Sequence, residues 1–178
     1  MKLKYAIILT IATAIFTTPK ANANILFDIY AGANIGAGGQ TIFTEDEDIS
    51  KSAESYGAVL GIDIPILRFE LEYNYLDSEK AQFNMGMFNL YAKMPTTIIQ
   101  PYIGVGAGTT FSSKIFEEDL NESVAYQGML GVTFGLPVIP IKLDAEARAL
   151  YIPNVYEANE TKSDLLNYDL RLKLRYIF

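Results

Sequence analysis

Cysteine, histidine and tryptophan are all absent from the 178 residues. Without cysteine there is neither a disulfide nor a thiol nucleophile. Without histidine no Ser-His triad can be assembled. No catalytic residue, metal ligand or cofactor site is therefore assigned, and the chain is not expected to be an enzyme. Basic residues are in deficit, with 14 Lys and Arg against 21 Asp and Glu. That balance excludes the electrostatic footprint of a nucleic-acid binder. Long apolar runs are also missing beyond the N-terminus, although half of the residues are hydrophobic. The apolar residues are spread in alternation rather than gathered in blocks.

The N-terminus has a different character. Lys2 and Lys4 form a basic start, Tyr5 to Thr18 is mostly apolar, and Ala21-Asn22-Ala23 has the small-x-small form of a cleavage site. An apolar core of about 14 residues is short of the roughly 20 that a spanning helix needs. Residues 1–23 read as a secretory signal peptide and 24–178 as one domain that starts at Asn24. Cleavage removes Lys2, Lys4 and Lys20, so 11 basic groups face 21 acids and the net charge becomes −10.

What is present is period-two alternation. From Leu166 to Phe178 every second residue is Leu, Tyr or Phe, while Asn167, Asp169, Arg171, Lys173 and Arg175 lie between them. Such a pattern makes a strand with one apolar and one charged face. Thirteen residues is long for a strand of a soluble sheet. It suits a wall with lipid on one side and a polar interior on the other. Eight such strands can be read, over roughly 25–36, 54–64, 66–76, 83–94, 97–110, 123–136, 141–152 and 165–178. Short proline-marked connections at Pro65, Pro95 and Pro137 to Pro140 alternate with longer polar ones at about 37–53, 77–82, 111–122 and 153–164. Short turns on one side and loops on the other imply an eight-stranded antiparallel up-and-down transmembrane β-barrel, all-β in class.

Charge assigns the faces. Arg68, Glu70 and Glu72 share one parity, as do Lys142, Asp144, Glu146 and Arg148, and again Asp169, Arg171, Lys173 and Arg175. Random placement on a two-faced strand would produce this about once in 256. With Asp28, Asp63 and Lys93 added, the charged face carries seven acids against seven bases. The full −10 then belongs to the loops, notably Glu45, Asp46, Glu47, Asp48 and Glu54, and Glu117, Glu118, Asp119 and Glu122. An eight-stranded barrel is only just wide enough to hold side chains. Opposed charges inside it should pair, because an unpaired buried charge is costly. The expected lumen is closed by ion pairs, with Gly104, Gly106 and Gly108 making room for long neighbours. The fourth strand resists phasing, since Met85, Met87, Phe88 and Leu90 blur its faces. Tyr56, Tyr73, Tyr75, Tyr151 and Tyr168 on the loop side, and Phe69, Tyr176 and Phe178 on the turn side, should form two interfacial belts.

Other motifs yield less. Gly104-Val-Gly106-Ala-Gly108 lacks the spacing and following helix of a dinucleotide loop. Glu45-Asp46-Glu47-Asp48 lacks the glycine and spacing of a calcium loop, and reads as a solvated acidic segment. Asn121-Glu-Ser123 and Asn159-Glu-Thr161 match a glycosylation pattern that carries no weight in a bacterial outer membrane.

The signal segment, the hairpin layout, Phe69-Glu-Leu-Glu-Tyr73, Pro101-Tyr-Ile-Gly-Val-Gly-Ala-Gly108 and Leu174-Arg-Tyr-Ile-Phe178 together resemble the small outer-membrane β-barrel domain family, of the OmpA/OmpX and opacity-protein or surface-antigen type. The resemblance implies a monomer in the outer membrane of a Gram-negative envelope, in contact with outer-membrane lipid and lipopolysaccharide. It also implies that Phe178, with Tyr176 and Leu174, is read by the barrel-assembly machinery. The expected role is structural and surface-interacting, with a host or surface ligand at the four acidic loops. The alternative is a porin-like narrow passive pore for ions or small solutes.

Overall fold

A computed structural model describes residues 27–43, 49–78, 81–115, 118–120, 123–136, 138–158 and 161–178. The proposed signal peptide and Ile25 at the start of the first expected strand lie outside these residues, as do Glu45 to Asp48, Glu117, Glu122 and the Asn121 and Asn159 motifs.

Eight long strands form the wall: β1 (Asp28–Phe43), β2 (Ile49–Asp63), β3 (Leu67–Ser78), β4 (Ala81–Lys93), β5 (Ile99–Ile115), β7 (Val124–Gly135), β8 (Ile141–Ala158) and β9 (Thr161–Ile177). A short β6 (Glu118–Leu120) pairs only with Ser113–Ile115 of β5. All pairings are antiparallel; the eight long strands pair in sequence order, β5 with β7 past the short β6, and β1 pairs with β9 to close the wall. Closure removes the free edge, so ladder groups find partners without water, as a membrane-spanning sheet requires.

The expected strands are all present, but they are longer on the loop side. The first expected loop, 37–53, is largely β1 and β2: Ala37 pairs with Glu54, Gln40 with Lys51 and Ile42 with Ile49. Residues 77–78, 81–82, 111–115 and 153–158 likewise continue strands. Gly38-Gly39-Gln40-Thr41 has no apolar alternation to mark it as strand. Its backbone pairs nonetheless, because a ladder needs only donors and acceptors on an aligned neighbour. The proline-marked turns fall where expected, with Ile64 N–H donating to the Leu67 carbonyl at 2.8 Å and Ile139 N–H to the Leu136 carbonyl at 3.1 Å.

The faces sort as charge implied. Ile29, Ile35, Leu60, Leu71, Ile103, Val105, Leu130, Leu170, Leu172 and Leu174 all point out and are exposed. An apolar band this large on a water-soluble protein would be an aggregation surface. The fourth strand resolves cleanly. Phe83, Met85, Met87, Asn89 and Tyr91 are buried inside, while Phe88 and Leu90 face out. Its sequence was ambiguous because both faces are apolar over part of its length.

Candidate functional site

The lumen is the candidate site, and it is built in layers. At the turn-side mouth Asp63 accepts from Lys93, from Lys142 at 3.2 Å and from Arg175 at 3.3 Å. The mouth holds a cavity of about 290 Å³ lined by Asp28, Asp63, Lys93, Gln100 and Lys142. Above it Asp144 takes a forked pair from Arg175, Nε at 2.8 Å and Nη2 at 2.9 Å. Asp144 also accepts from Arg68 at 3.1 Å and from the Thr133 hydroxyl at 2.7 Å. Planar guanidinium matches planar carboxylate in this geometry, which fixes orientation as well as charge.

The next layer is aromatic. The Arg68 guanidinium lies 3.8 Å from the Tyr91 ring centroid and 4.5 Å from that of Tyr102. The two rings meet edge to face at 5.4 Å. Arg68 Nε and Nη2 have no hydrogen-bond partner among the described residues, and the ring faces supply their electrostatic contact instead. Glu70 accepts from Tyr30 at 2.7 Å, Tyr91 at 2.8 Å and Lys173 at 2.7 Å. Glu146 accepts from Tyr102 at 2.9 Å, and Lys173 lies 3.8 Å away. Glu72 is held by Arg171, Asn34, Asn74, Asn89 and Gln127, the last four at 2.8–3.2 Å. Asp169 is held by Arg148 and by the Ser55 hydroxyl at 3.2 Å.

The fourteen charges assigned inward by parity therefore all face the lumen, and the acids and bases interleave. The glycines act as expected. A Cβ on Gly104 would strike the Tyr91 ring, and one on Gly106 would strike Asn89 Oδ1. Gly61 under Tyr30 and Gly131 under Tyr102 do the same, a use of glycine not expected from the sequence.

Two parts of the interior went unread. Asn74, Asn89, Gln127 and Asn167 complete the network; Asn74, Asn89 and Asn167 share the parity of the charges on their own strands, whereas the strand of Gln127 carries no charge to phase it. At the loop end the lumen turns apolar: Ala53, Leu76, Phe83, Met85, Met87, Ala125, Leu150, Ile152 and Leu165 form one buried cluster. The outward tyrosines mark the same level on the outside. Tyr56 donates to Glu54 at 2.5 Å, Tyr73 to Asn84 at 2.7 Å and Tyr151 to Asp164 at 2.7 Å. On the turn side Tyr176 and Phe178 stack edge to face at 5.3 Å.

An apolar outer wall, a polar packed lumen, tyrosines reaching up to acids on one rim and proline turns on the other define the architecture. The chain has the fold of a small outer-membrane β-barrel. Solved structures agree. The chain is similar to Neisserial surface protein A, with 19% identity, a TM-score of 0.63, and 84% of this chain and 97% of that one covered. It is also similar to the N-terminal β-barrel domain of Pseudomonas aeruginosa OprF, with 11% identity, a TM-score of 0.50, and 83% and 97% covered. No protein-family model matches the chain, and no curated protein matches it.

Proposed function

We propose that this outer-membrane barrel is a closed, non-catalytic structural and surface-interaction protein rather than a pore. The observation supporting closure is the Arg68–Asp144 pair. It joins β3 to β8, which stand on opposite sides of the eight-stranded wall, and Arg68 is only 1% exposed. Above it the Glu72–Arg171 pair and the apolar cluster add two further barriers. An ion moving through would have to break buried pairs, at about 3–5 kcal/mol for each charge left alone. Recording from the folded protein in planar bilayers should show no steady conductance. A reproducible unitary conductance would overturn closure and favour the narrow pore.

The reading extends to both ends of the chain. Residues 1–23 act as the export signal, and mass measurement of the mature protein should place Asn24 first. Phe178, packed on Tyr176 and donating its N–H to the Ile29 carbonyl at 2.9 Å, is available to assembly machinery on the turn side. Deleting Phe178 should lower the yield in the outer membrane; an unchanged yield would remove that role. The acid-rich far rim is the surface offered to a ligand outside the cell, and a monomer with lipid and lipopolysaccharide around its wall is sufficient for that display.

A further inference from the structure

The three turn-side turns carry no charged side chain. Residues 64–66, 94–98 and 136–140 contain no Asp, Glu, Lys or Arg. The charges nearest to them, Asp28, Asp63, Lys93 and Lys142, all line the lumen mouth instead. The rim presents Ile66, Met94, Ile98, Leu136, Val138 and Ile139 in exposed positions, Val138 at 89%. In water such a rim would be a liability.

Geometry places it elsewhere. On β8 the apolar band runs from Ile141 to Tyr151, whose hydroxyl reaches Asp164 at the outer boundary. Ten residue steps of ~3.3 Å at ~40° tilt cover about 25 Å, the full height of a barrel's apolar band. The band is thus used up at Ile141, and the 136–140 turn begins one residue below it. A bilayer has roughly 5–8 Å of headgroup layer beyond each side of its hydrocarbon, enough to contain such a turn. The turns also satisfy much of their own backbone. Gly135 N–H donates to Ile98 at 3.0 Å, Thr96 N–H to Met94 at 2.8 Å, Lys93 N–H to Ile66 at 2.8 Å and Ile177 N–H to Pro140 at 2.8 Å. Prolines 65, 95, 137 and 140 have no N–H to satisfy. Internal satisfaction is what backbone needs where water is scarce.

We infer that the three turns form a collar without charged side chains, seated in the headgroup layer of the inner leaflet, so that the described wall is sunk to its turn-side end. The occupant of the apolar rim is phospholipid, continuous with the lipid already against Phe134, Ile141 and Leu143. This rests on the membrane reading of the wall above.

The absence of tryptophan makes the test direct. Single variants Val138→Trp and Ile66→Trp are folded as the full mature chain into vesicles of phosphatidylethanolamine and phosphatidylglycerol. Leu172→Trp in the band and Ser52→Trp on the outer strand extension are the lipid and water references. The collar variants should emit to the blue of Ser52→Trp, resist acrylamide, and lose intensity when the lipids are brominated high on the acyl chain. Water-like emission at both turns, with Leu172→Trp quenched by lipid, would overturn the collar alone. Water-like emission in vesicles but protection of a Val138→Cys label in whole cells would also overturn it, in favour of a periplasmic protein on the rim. Failure of Leu172→Trp to be quenched would overturn the membrane reading and the collar with it.

Discussion

The turn-side part of the lumen is charged and the loop-side part is apolar, yet both are sealed from solvent. The switch occurs within single strands. On the inward face of β8, Lys142, Asp144, Glu146 and Arg148 give way to Leu150 and Ile152. On β9, Arg175, Lys173, Arg171 and Asp169 give way to Asn167 and Leu165. The change comes at the level of the outward tyrosines, where Tyr151 and Tyr168 face out. Below that level the wall is bathed in lipid, so its apolar residues are committed outward and the interior must be polar. Above it the wall meets water and acids such as Glu54 and Asp164. There the ordinary arrangement of a soluble barrel returns, with the apolar side inward. One closed sheet is inside-out in its lower part and conventional in its upper part.

The two interiors should respond differently to substitution. Glu72→Ala strips the main partner from Arg171, whose side chain is fully buried, and leaves the charge with Asp169 at 3.5 Å. It should cost about 3–5 kcal/mol in urea unfolding of the folded protein. Lys173→Leu should cost a similar amount, since it abandons Glu70 inside the lumen. Leu172→Arg, on the outer wall beside it, should cost about 2–4 kcal/mol by placing charge in lipid. Sequence parity alone would rank Leu172→Arg as the more harmful of the two, because it sees the lipid but not the partner of Lys173. Equal stability of Lys173→Leu and the parent would break the network half of the comparison. Leu150→Met in the apolar cluster keeps volume and should cost under about 1.5 kcal/mol. A loss as large as that of Glu72→Ala would show the cluster to be as exacting as the ion pairs. Neither Leu150→Met nor Leu150→Ala should open a conductance, because the Arg68–Asp144 pair lies intact beneath.

Much of the fold was legible because the side-chain period of a strand is two and lipid admits no charge. Parity alone sorted Asp63, Glu70, Asp144, Arg171 and the rest of the charges correctly. Proline located the three turns. What misled was the same rule carried past its domain. Polar Gly38 to Thr41 and residues 153–158 read as loops, since no apolar face is required of a strand standing in water. The β4 phase was hidden because Met85 and Met87 feed the inner apolar cluster while Phe88 and Leu90 face lipid, so both parities look alike.

The sequence by itself determined the number of strands in the wall, their antiparallel neighbour order and which face meets lipid, because each follows from local alternation and turn chemistry. Tertiary structure alone decided who pairs with whom. Arg68 reaches Asp144 across the barrel, Glu72 gathers Asn74 from its own strand and four partners from four other strands, and the cluster around Phe83 and Leu165 closes the outer end. Those contacts depend on the stagger of a closed sheet, which brings together residues up to about a hundred positions apart in the chain.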